Sequence, residues 1–232
     1  MFDDQRNRLL NALDESYEAY HEAAIFNGPS VYFHLRSLEA ARAKELDAFA
    51  ECAYAMLASW GMHRMGPGGS KMKEFEIFKS SLKAVWERAL LLQEKTPADI
   101  SDGDWKTLKE IFEEIKCMES GTSLVGNSKV MAHLLPNLVP PVDRQYTLQF
   151  LFGNGRIKNG SEEWTMLKKA LDHFFYPVFR DPRFQAKAVK WRADKNRSNW
   201  DTSDLKIVDN LLIGLLKKDR SKKQKSVPVK SV

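Results

Sequence analysis

The sequence has little cysteine and no long apolar segment, and these two absences restrict its chemistry and its location. Only two cysteines, Cys52 and Cys117, occur among 232 residues, and their separation matches no usual metal-site spacing. We expect both to be reduced thiols of a cytoplasmic protein. No apolar run reaches the roughly 18 residues of a membrane span, and the N-terminus MFDDQRNRLL lacks the apolar core of a secretory signal. The sequence therefore predicts no membrane partner, no metal and no cofactor.

Several nucleotide-binding and hydrolase motifs are also missing. The chain carries no P-loop, no glycine-rich dinucleotide fingerprint, no serine nucleophile elbow and no HExxH pair. Its five histidines are dispersed along the chain, which gives a zinc site little support. Nucleotide-driven and serine- or zinc-hydrolase functions therefore have no basis in the sequence.

Positive charge is concentrated in the second half of the chain. The formal net charge is +5, yet residues 1–128 sum to −6, whereas residues 129–200 sum to +7, with thirteen Lys/Arg against six Asp/Glu. Residues 217–232 add a further +6, from seven Lys/Arg and one Asp. Such asymmetry favours a polyanionic partner such as nucleic acid, although a solvated basic face has the same composition. We expect a cytoplasmic protein, associated with the nucleoid if it binds DNA.

Apolar residues recur with helical spacing through most of the chain, and no stretch alternates with a period of two for long enough to indicate a strand. We therefore predict an all-α protein, either one helical domain or two interlocked helical lobes over residues 1–218. A basic disordered tail is predicted at 219–232. The predicted helices cover 9–20, 46–60, 75–89 and 105–115, start again near 128 and 143, and continue near 162–176, 183–194 and 204–218.

The segment LVGNSKVMAHLLPNLVPPVDRQYTLQFLFG, residues 124–153, places a glycine, a lysine, two prolines and an aspartate around a short connection between helices. A glycine, Gly126, precedes a short helix that carries Lys129, and a double-proline turn then leads to Asp143 at the start of another helix. This order resembles the helix-hairpin-helix DNA glycosylase superfamily, over residues 105–153. That family usually has two glycines in the hairpin, whereas this chain has one. The resemblance implies a helix-hairpin-helix-like element within the all-α fold.

The resemblance also implies roles for individual residues. Lys129 would be the nucleophile and Asp143 the electrostatic partner of a cationic sugar. Gly126, Asn127 and Ser128 would form a hairpin that contacts a DNA phosphate, and Arg144 would bind nucleic acid beside them. From the residues alone, Asp143 is also a good helix N-cap and Lys129 an ordinary surface lysine.

The segment 174–200 offers the strongest independent indication of nucleic-acid binding. Phe184, Ala188 and Trp191 have the spacing of a buried helical stripe. Arg183, Lys187 and Lys190 lie on an adjacent line suited to tracking phosphates. A helix with a solvated cationic face is the alternative interpretation.

Two further groups of polar residues have less specific interpretations. His34, next to aromatic residues, is interpreted as a hydrogen-bonded core histidine. Residues 57–72 bring Trp60, His63, Arg64 and Lys71 close to a helix end. That arrangement is typical of a C-cap at which a glycine ends the helix and basic groups complement its dipole, although it could also line a cleft.

Taken together, these features predict a protein that binds duplex DNA and resembles a base-excision DNA glycosylase acting on damaged or mismatched bases. An AP-lyase activity would accompany excision if Lys129 is the nucleophile. Two alternatives remain open, namely a non-catalytic nucleic-acid-binding helical protein and a helical protein–protein interaction module.

Overall fold

The helical periodicity of the sequence is realised in a computed structural model. It describes residues 1–23, 28–63, 65–66, 69–119, 122–155, 162–194, 197 and 199–225, and the side chains of 65–66, 69–70 and 222–225 are outside this description. The α-helices are α1 Phe2–Leu10, α2 Leu13–Ala23, α3 Pro29–Arg42, α4 Leu46–Ser59, α5 Phe75–Leu90, α6 Asp102–Glu114, α7 Leu124–Leu134, α8 Gln149–Phe152, α9 Glu163–Ala170, α10 Tyr176–Arg180, α11 Pro182–Ala193 and α12 Asp204–Lys225. Two π-helical turns, π1 Arg144–Leu148 and π2 Leu171–Phe175, precede α8 and α10.

The prediction of an all-α fold is confirmed. The β-structure among the described residues is limited to one antiparallel pair of two-residue strands, β1 Met65–Gly66 and β2 Gly69–Ser70, and one isolated bridge between Met72 and Met118. Across the described part of the chain, no helix combines the length and the apolar character that crossing a membrane requires.

Local sequence signals explain where several helices begin and end. Ser101 and Asp104 form a reciprocal capping box at the start of α6. Pro29 and Pro182 occupy the first turns of α3 and α11, where a missing N–H is tolerated. Gly61 follows α4 with φ 78°, a left-handed conformation that favours glycine. The predicted C-cap after α4 is therefore confirmed.

Four predicted features differ from the structure. The helix predicted at 9–20 is divided between α1 and α2, because the chain turns at 11–12. Helix α3 was not predicted, and α7 begins four residues before the predicted start near 128. Helix α12 continues to Lys225, seven residues beyond the boundary predicted at 218, so 219–225 is helical. Arg64, residues 156–161 and the tail residues 226–232 lie outside the described residues.

One hydrophobic core contains residues from most of the helices. Helix α7 lies near its centre and contacts α3, α4, α6 and α9, with Val130, Met131 and Leu134 fully buried. Helices α2 and α12 pack so closely that a Cβ built on Gly214 would lie 1.9 Å from the Ser16 carbonyl oxygen. Helix α12 also contacts π1 and α10.

Candidate functional site

The start of α7 is held by buried polar side chains. The carboxylate of Glu163, on α9, accepts hydrogen bonds from the backbone N–H groups of Ser123 (2.9 Å) and Leu124 (3.1 Å). Glu163 is buried, so its negative charge complements the positive end of the helix dipole from inside the protein. An anion-binding position of the kind that helix N-termini offer is therefore already occupied by the chain itself.

The phosphate-contacting hairpin predicted at 126–128 is wrong. Gly126, Asn127 and Ser128 lie within the first turns of α7 and are buried. A Cβ on Gly126 would lie 2.6 Å from the Cys117 sulfur, so the glycine permits close packing and does not face solvent. The Asn127 amide donates to the carbonyl of Phe112 at 2.8 Å and accepts from the Cys117 thiol. Burial therefore leaves neither the Asn127 nor the Ser128 side chain free for a phosphate.

Ser128 instead connects the segment of Lys129 to that of Asp143. Its hydroxyl oxygen accepts a hydrogen bond from the backbone N–H of Val142 at 3.1 Å. The next residue, Asp143, accepts a hydrogen bond from the backbone N–H of Tyr146 at 2.6 Å. Asp143 is thus the N-cap of π1, as one interpretation of the sequence predicted. This capping bond fixes the orientation of the carboxylate.

Lys129 and Asp143 line the same cavity, which has a volume of about 170 Å³. Aromatic side chains form much of the rest of its wall: Trp60 from the end of α4, Trp200 from the segment before α12, and Tyr20 from α2. Pro141, Val142, Lys206, Asp209 and Ile213 complete the lining. Two residues 14 positions apart in sequence therefore line the same half-open cavity, whose wall combines three aromatic rings with four charged side chains.

The cavity changes the ionisation of Lys129. Burial lowers the pKa of Lys129, and the positive charge of Lys206 acts in the same direction, whereas the carboxylates of Asp143 and Asp209 oppose the shift. The amine lies 5.3 Å from the centroid of the Trp60 ring and 3.9 Å from the Met62 sulfur. A lysine in such surroundings has a larger neutral, nucleophilic fraction than an exposed one.

Two hydrogen-bonded neutral histidines connect α3 with α7 next to the cavity. His133 Nδ1 lies 2.7 Å from the Lys129 carbonyl oxygen, to which it must donate. His133 Nε2 therefore accepts, and His34 Nδ1–H donates to it at 2.7 Å. His34 Nε2 then accepts from the Thr202 hydroxyl at 3.2 Å. Burial lowers the pKa of His34, and lowers that of His133 to about 4, so both rings are neutral at pH 7. The interpretation of His34 as a core histidine is confirmed.

The basic line predicted on α11 is largely neutralised by nearby acids. Lys187 pairs with Asp14 of α2 at 2.6 Å. Arg183 forms a two-point contact with Asp181, the N-cap of α11, with bonds of 2.9 and 3.0 Å. Lys190 is exposed. The stripe of Phe184, Ala188 and Trp191 is buried as predicted. Because two of the three cations have carboxylate partners, this face is a weaker phosphate track than the sequence indicates.

A larger groove of mixed charge lies beside the cavity. Its volume is about 530 Å³, and it is lined by Arg220, Leu216 and Asp219 of α12, Gln145 of π1 and Arg8 of α1, with Arg8 and Asp219 forming an ion pair. Leu216 lies three residues, just under one helical turn, beyond Ile213, which lines the cavity. The Arg220 guanidinium lies 5.1 Å from the Tyr146 ring centroid. Arg144, which follows Asp143 directly, is exposed and donates to the Thr122 hydroxyl at 3.0 Å.

Other candidates have structural roles or lie elsewhere. The His63 ring approaches the Ala58 carbonyl at 2.7 Å, which agrees with a role at the end of α4. Burial raises the pKa of Cys117 to about 12, so its thiol is not a nucleophile at neutral pH. Within the described residues, no cluster of three or more His, Cys, Asp or Glu side chains is arranged to hold a metal ion.

Sequence reasoning missed most of the cavity wall. Tyr20, Trp200, Lys206 and Asp209 were not recognised as site residues. A signal was present in the first half of α12, where Lys206 and Asp209 interrupt the apolar segment 205–216 three residues apart. Polar groups on a buried helical face indicate a site or an internal ion pair.

Comparisons with known proteins do not identify a relative: no protein-family model matches the chain, and neither the curated proteins nor the solved structures include a significant match.

Proposed function

We propose that this protein binds duplex DNA and excises a damaged or mismatched base, with Lys129 as nucleophile and Asp143 as electrostatic partner. The observation that carries the proposal is the meeting of the Lys129 amine and the Asp143 carboxylate in one small, aromatic-lined cavity. The remaining support comes from the size of that cavity, the state of the amine and the charge of the neighbouring surface.

The cavity suits one heterocyclic ring system. Its volume of about 170 Å³ lies below the roughly 300 Å³ at which pockets for drug-sized ligands begin, a size that suits a base, with the sugar at the mouth of the cavity. Enzymes that act on a base rotate it out of the duplex into such a pocket. Trp60, Trp200 and Tyr20 offer ring faces, and stacking contributes about 1–3 kcal/mol per base.

The two polar groups have complementary tasks. The neutral Lys129 amine attacks the sugar carbon that carries the base, and the resulting adduct opens to a Schiff base. Positive charge develops on the sugar as the base leaves, and the fixed carboxylate of Asp143 stabilises it. The hydrogen bond from Tyr146 holds that carboxylate in place before the substrate arrives.

The DNA backbone is expected along the groove next to the cavity and not along α11. Arg220 and Arg144 lie on this side without a carboxylate partner among their hydrogen bonds, and α12 continues beyond Arg220 into the sequence SKKQK. A polyanion following α12 would therefore pass the mouth of the cavity.

Trapping with borohydride tests the chemistry. Wild-type protein is mixed with duplexes bearing abasic sites or a panel of damaged bases, and borohydride reduces any Schiff base to a stable protein–DNA adduct. We expect a covalent adduct that disappears in Lys129→Ala and persists in the matched control Lys190→Ala. An adduct that survives Lys129→Ala would refute the assigned nucleophile. With no adduct and no released base from any duplex, the protein is a non-catalytic binder.

Charge reversal tests the DNA path. We expect Arg144→Glu/Arg220→Glu to weaken duplex binding and to reduce the slope of log affinity against log salt by about 2, roughly one for each lost phosphate contact. The matched pair Lys187→Glu/Lys190→Glu should have a smaller effect. If the second pair weakens binding more, the track lies on α11.

A further inference from the structure

A buried ion pair on α12 forms part of the cavity and has no role in the reaction described above. Lys206 and Asp209 are 7% and 4% exposed, and Lys206 Nζ lies 2.8 Å from Asp209 Oδ2. Desolvation makes such pairs poor sources of stability, and apolar replacements are often neutral or stabilising. Packing alone therefore does not account for the pair.

The ammonium group of Lys206 retains one donor. Lys206 donates hydrogen bonds to Asp209 and to the side-chain oxygen of Asn210, and an ammonium carries three N–H groups. Its nitrogen also lies 5.7 Å from the Tyr20 ring centroid and 5.9 Å from the Trp200 ring centroid. Lys206 and both rings line the cavity, so the ammonium group lies among the groups that would surround a bound ring.

A network of hydrogen bonds holds this donor in place. The Asn210 amide donates to the Trp200 carbonyl at 2.9 Å and to Asp201 Oδ1 at 2.8 Å. Asp201 is buried and also accepts a hydrogen bond from the Tyr17 hydroxyl at 2.9 Å. Burial lowers the pKa of Lys206, but the attraction of Asp209 and Tyr20 outweighs burial and raises it overall. Lys206 is therefore a fixed cation at neutral pH.

We propose that Lys206 is a further catalytic residue, which donates its third N–H to an acceptor atom of the heterocycle in the cavity. This inference rests on the proposed function. When the bond between sugar and base breaks, its electron pair stays on the base, and the ammonium stabilises the resulting negative charge. The Lys129 amine forms the new bond to the sugar carbon and releases one proton, and the departing base takes up one proton, so no oxidant or reductant is needed.

Binding of free heterocycles tests the donor without requiring any reaction. Hypoxanthine has ring-nitrogen and carbonyl acceptors, whereas indole has a similar shape and no such acceptor. Isothermal titration calorimetry measures the affinity of both heterocycles for the cavity. Two double variants form a matched pair: Lys206→Met/Asp209→Asn removes the donor, and Lys206→Gln/Asp209→Asn keeps a neutral one. Both variants avoid an unpaired buried carboxylate.

We expect Lys206→Met/Asp209→Asn (the Met variant) to bind hypoxanthine about tenfold more weakly than wild type. This is the effect of losing one hydrogen bond of about 1.4 kcal/mol. The Gln variant should recover most of the affinity, and indole should bind all three proteins equally. Unchanged hypoxanthine affinity in the Met variant would overturn the inference. An equal loss for indole would also overturn it, since the change would then reflect cavity shape.

Base release separates this inference from the proposed function. If wild type releases a base and the Met variant does so at the same rate, Lys206 has no catalytic role while the excision function stands. If wild type releases no base but the hypoxanthine difference is found, excision fails and the donor role in binding stands. The expected result is slower base release in the Met variant with unchanged trapping on a duplex whose abasic site is already formed, because no base then has to leave.

Discussion

Substitution of Gly214 by alanine should be severely destabilising, because the glycine lies where α12 crosses α2. The added Cβ would lie 1.9 Å from the carbonyl oxygen of Ser16, 2.9 Å from its carbonyl carbon and 3.0 Å from the Tyr20 nitrogen. All three atoms belong to the backbone of α2, so no side-chain rotation relieves the overlap. The two helices would have to separate by about 1 Å to bring the closest contact to 3.0 Å.

The magnitude follows from two opposing contributions. Overpacking a close-packed interior costs typically about 1–3 kcal/mol and occasionally more, and a backbone overlap lies at the upper end of that range. Alanine recovers about 1 kcal/mol through its higher helix propensity. We expect a net loss of about 2–3 kcal/mol in the free energy of unfolding, which for a chain of this size lowers Tm by about 4–12 °C.

Urea denaturation followed by circular dichroism measures the effect, with the slope m checked for constancy. Gly103→Ala is the matched control, because its Cβ would meet only the Ser101 hydroxyl at 3.7 Å. That substitution should stabilise the protein by about 0.4–1 kcal/mol. A Gly214→Ala protein as stable as wild type would refute the described crossing of α2 and α12. Since Ile213 lines the cavity, the same variant should also lose affinity for heterocycles.

Three further predictions concern the site itself. Asp143→Asn should abolish excision because the carboxylate is lost, but it should leave the free energy of unfolding nearly unchanged because Asn caps helices as well as Asp. Asp143→Ala should also lower the free energy of unfolding, measured by urea denaturation, by about 1 kcal/mol. Full excision activity in Asp143→Asn would remove Asp143 from the mechanism. Reductive labelling with a small aldehyde, read by mass spectrometry, should modify Lys129 at lower pH than an unperturbed lysine of ordinary pKa, about 10.4, because burial lowers its pKa; a midpoint near that value would contradict its desolvation. Because burial lowers the pKa of His133 from the ordinary 6.5 to about 4, the unfolded chain binds more protons between those values, and stability should decrease by about 1.6 kcal/mol from pH 6.5 to pH 5; His34→Leu/His133→Leu should flatten this decrease in urea denaturation, and an unchanged slope would contradict the neutral pair.

Asp143 illustrates how one side chain can satisfy two interpretations. Its carboxylate caps π1 and at the same time lines the cavity with Lys129. The cap accounts for the residue without any chemistry, and the cavity is what motivates a catalytic proposal. The Asn and Ala variants separate the two roles because they differ in capping ability and share the loss of negative charge.

The sequence by itself determined the helical class of the protein. Apolar residues spaced at 3.6 per turn need only local geometry to indicate a helix, which is why α4, α5, α6 and the buried stripe of α11 were predicted near their observed positions. Helix α3 was missed because its buried face includes His34, a polar residue that interrupts the apolar pattern. The histidine is tolerated there since His133 and Thr202, both far away in sequence, satisfy its ring.

The site was decided by the tertiary structure. The sequence named Lys129 and Asp143 but could not place Trp200 and Lys206 beside them, because those contacts depend on how α12 packs against α2 and π1. Contacts between distant residues also changed two expectations. Glu163 occupies the helix start that was expected to bind phosphate, and Asp14 pairs with Lys187 and so weakens the expected basic track on α11. A charge in a sequence has a sign but no partner, and only packing determines whether it faces a ligand, a neighbour or water.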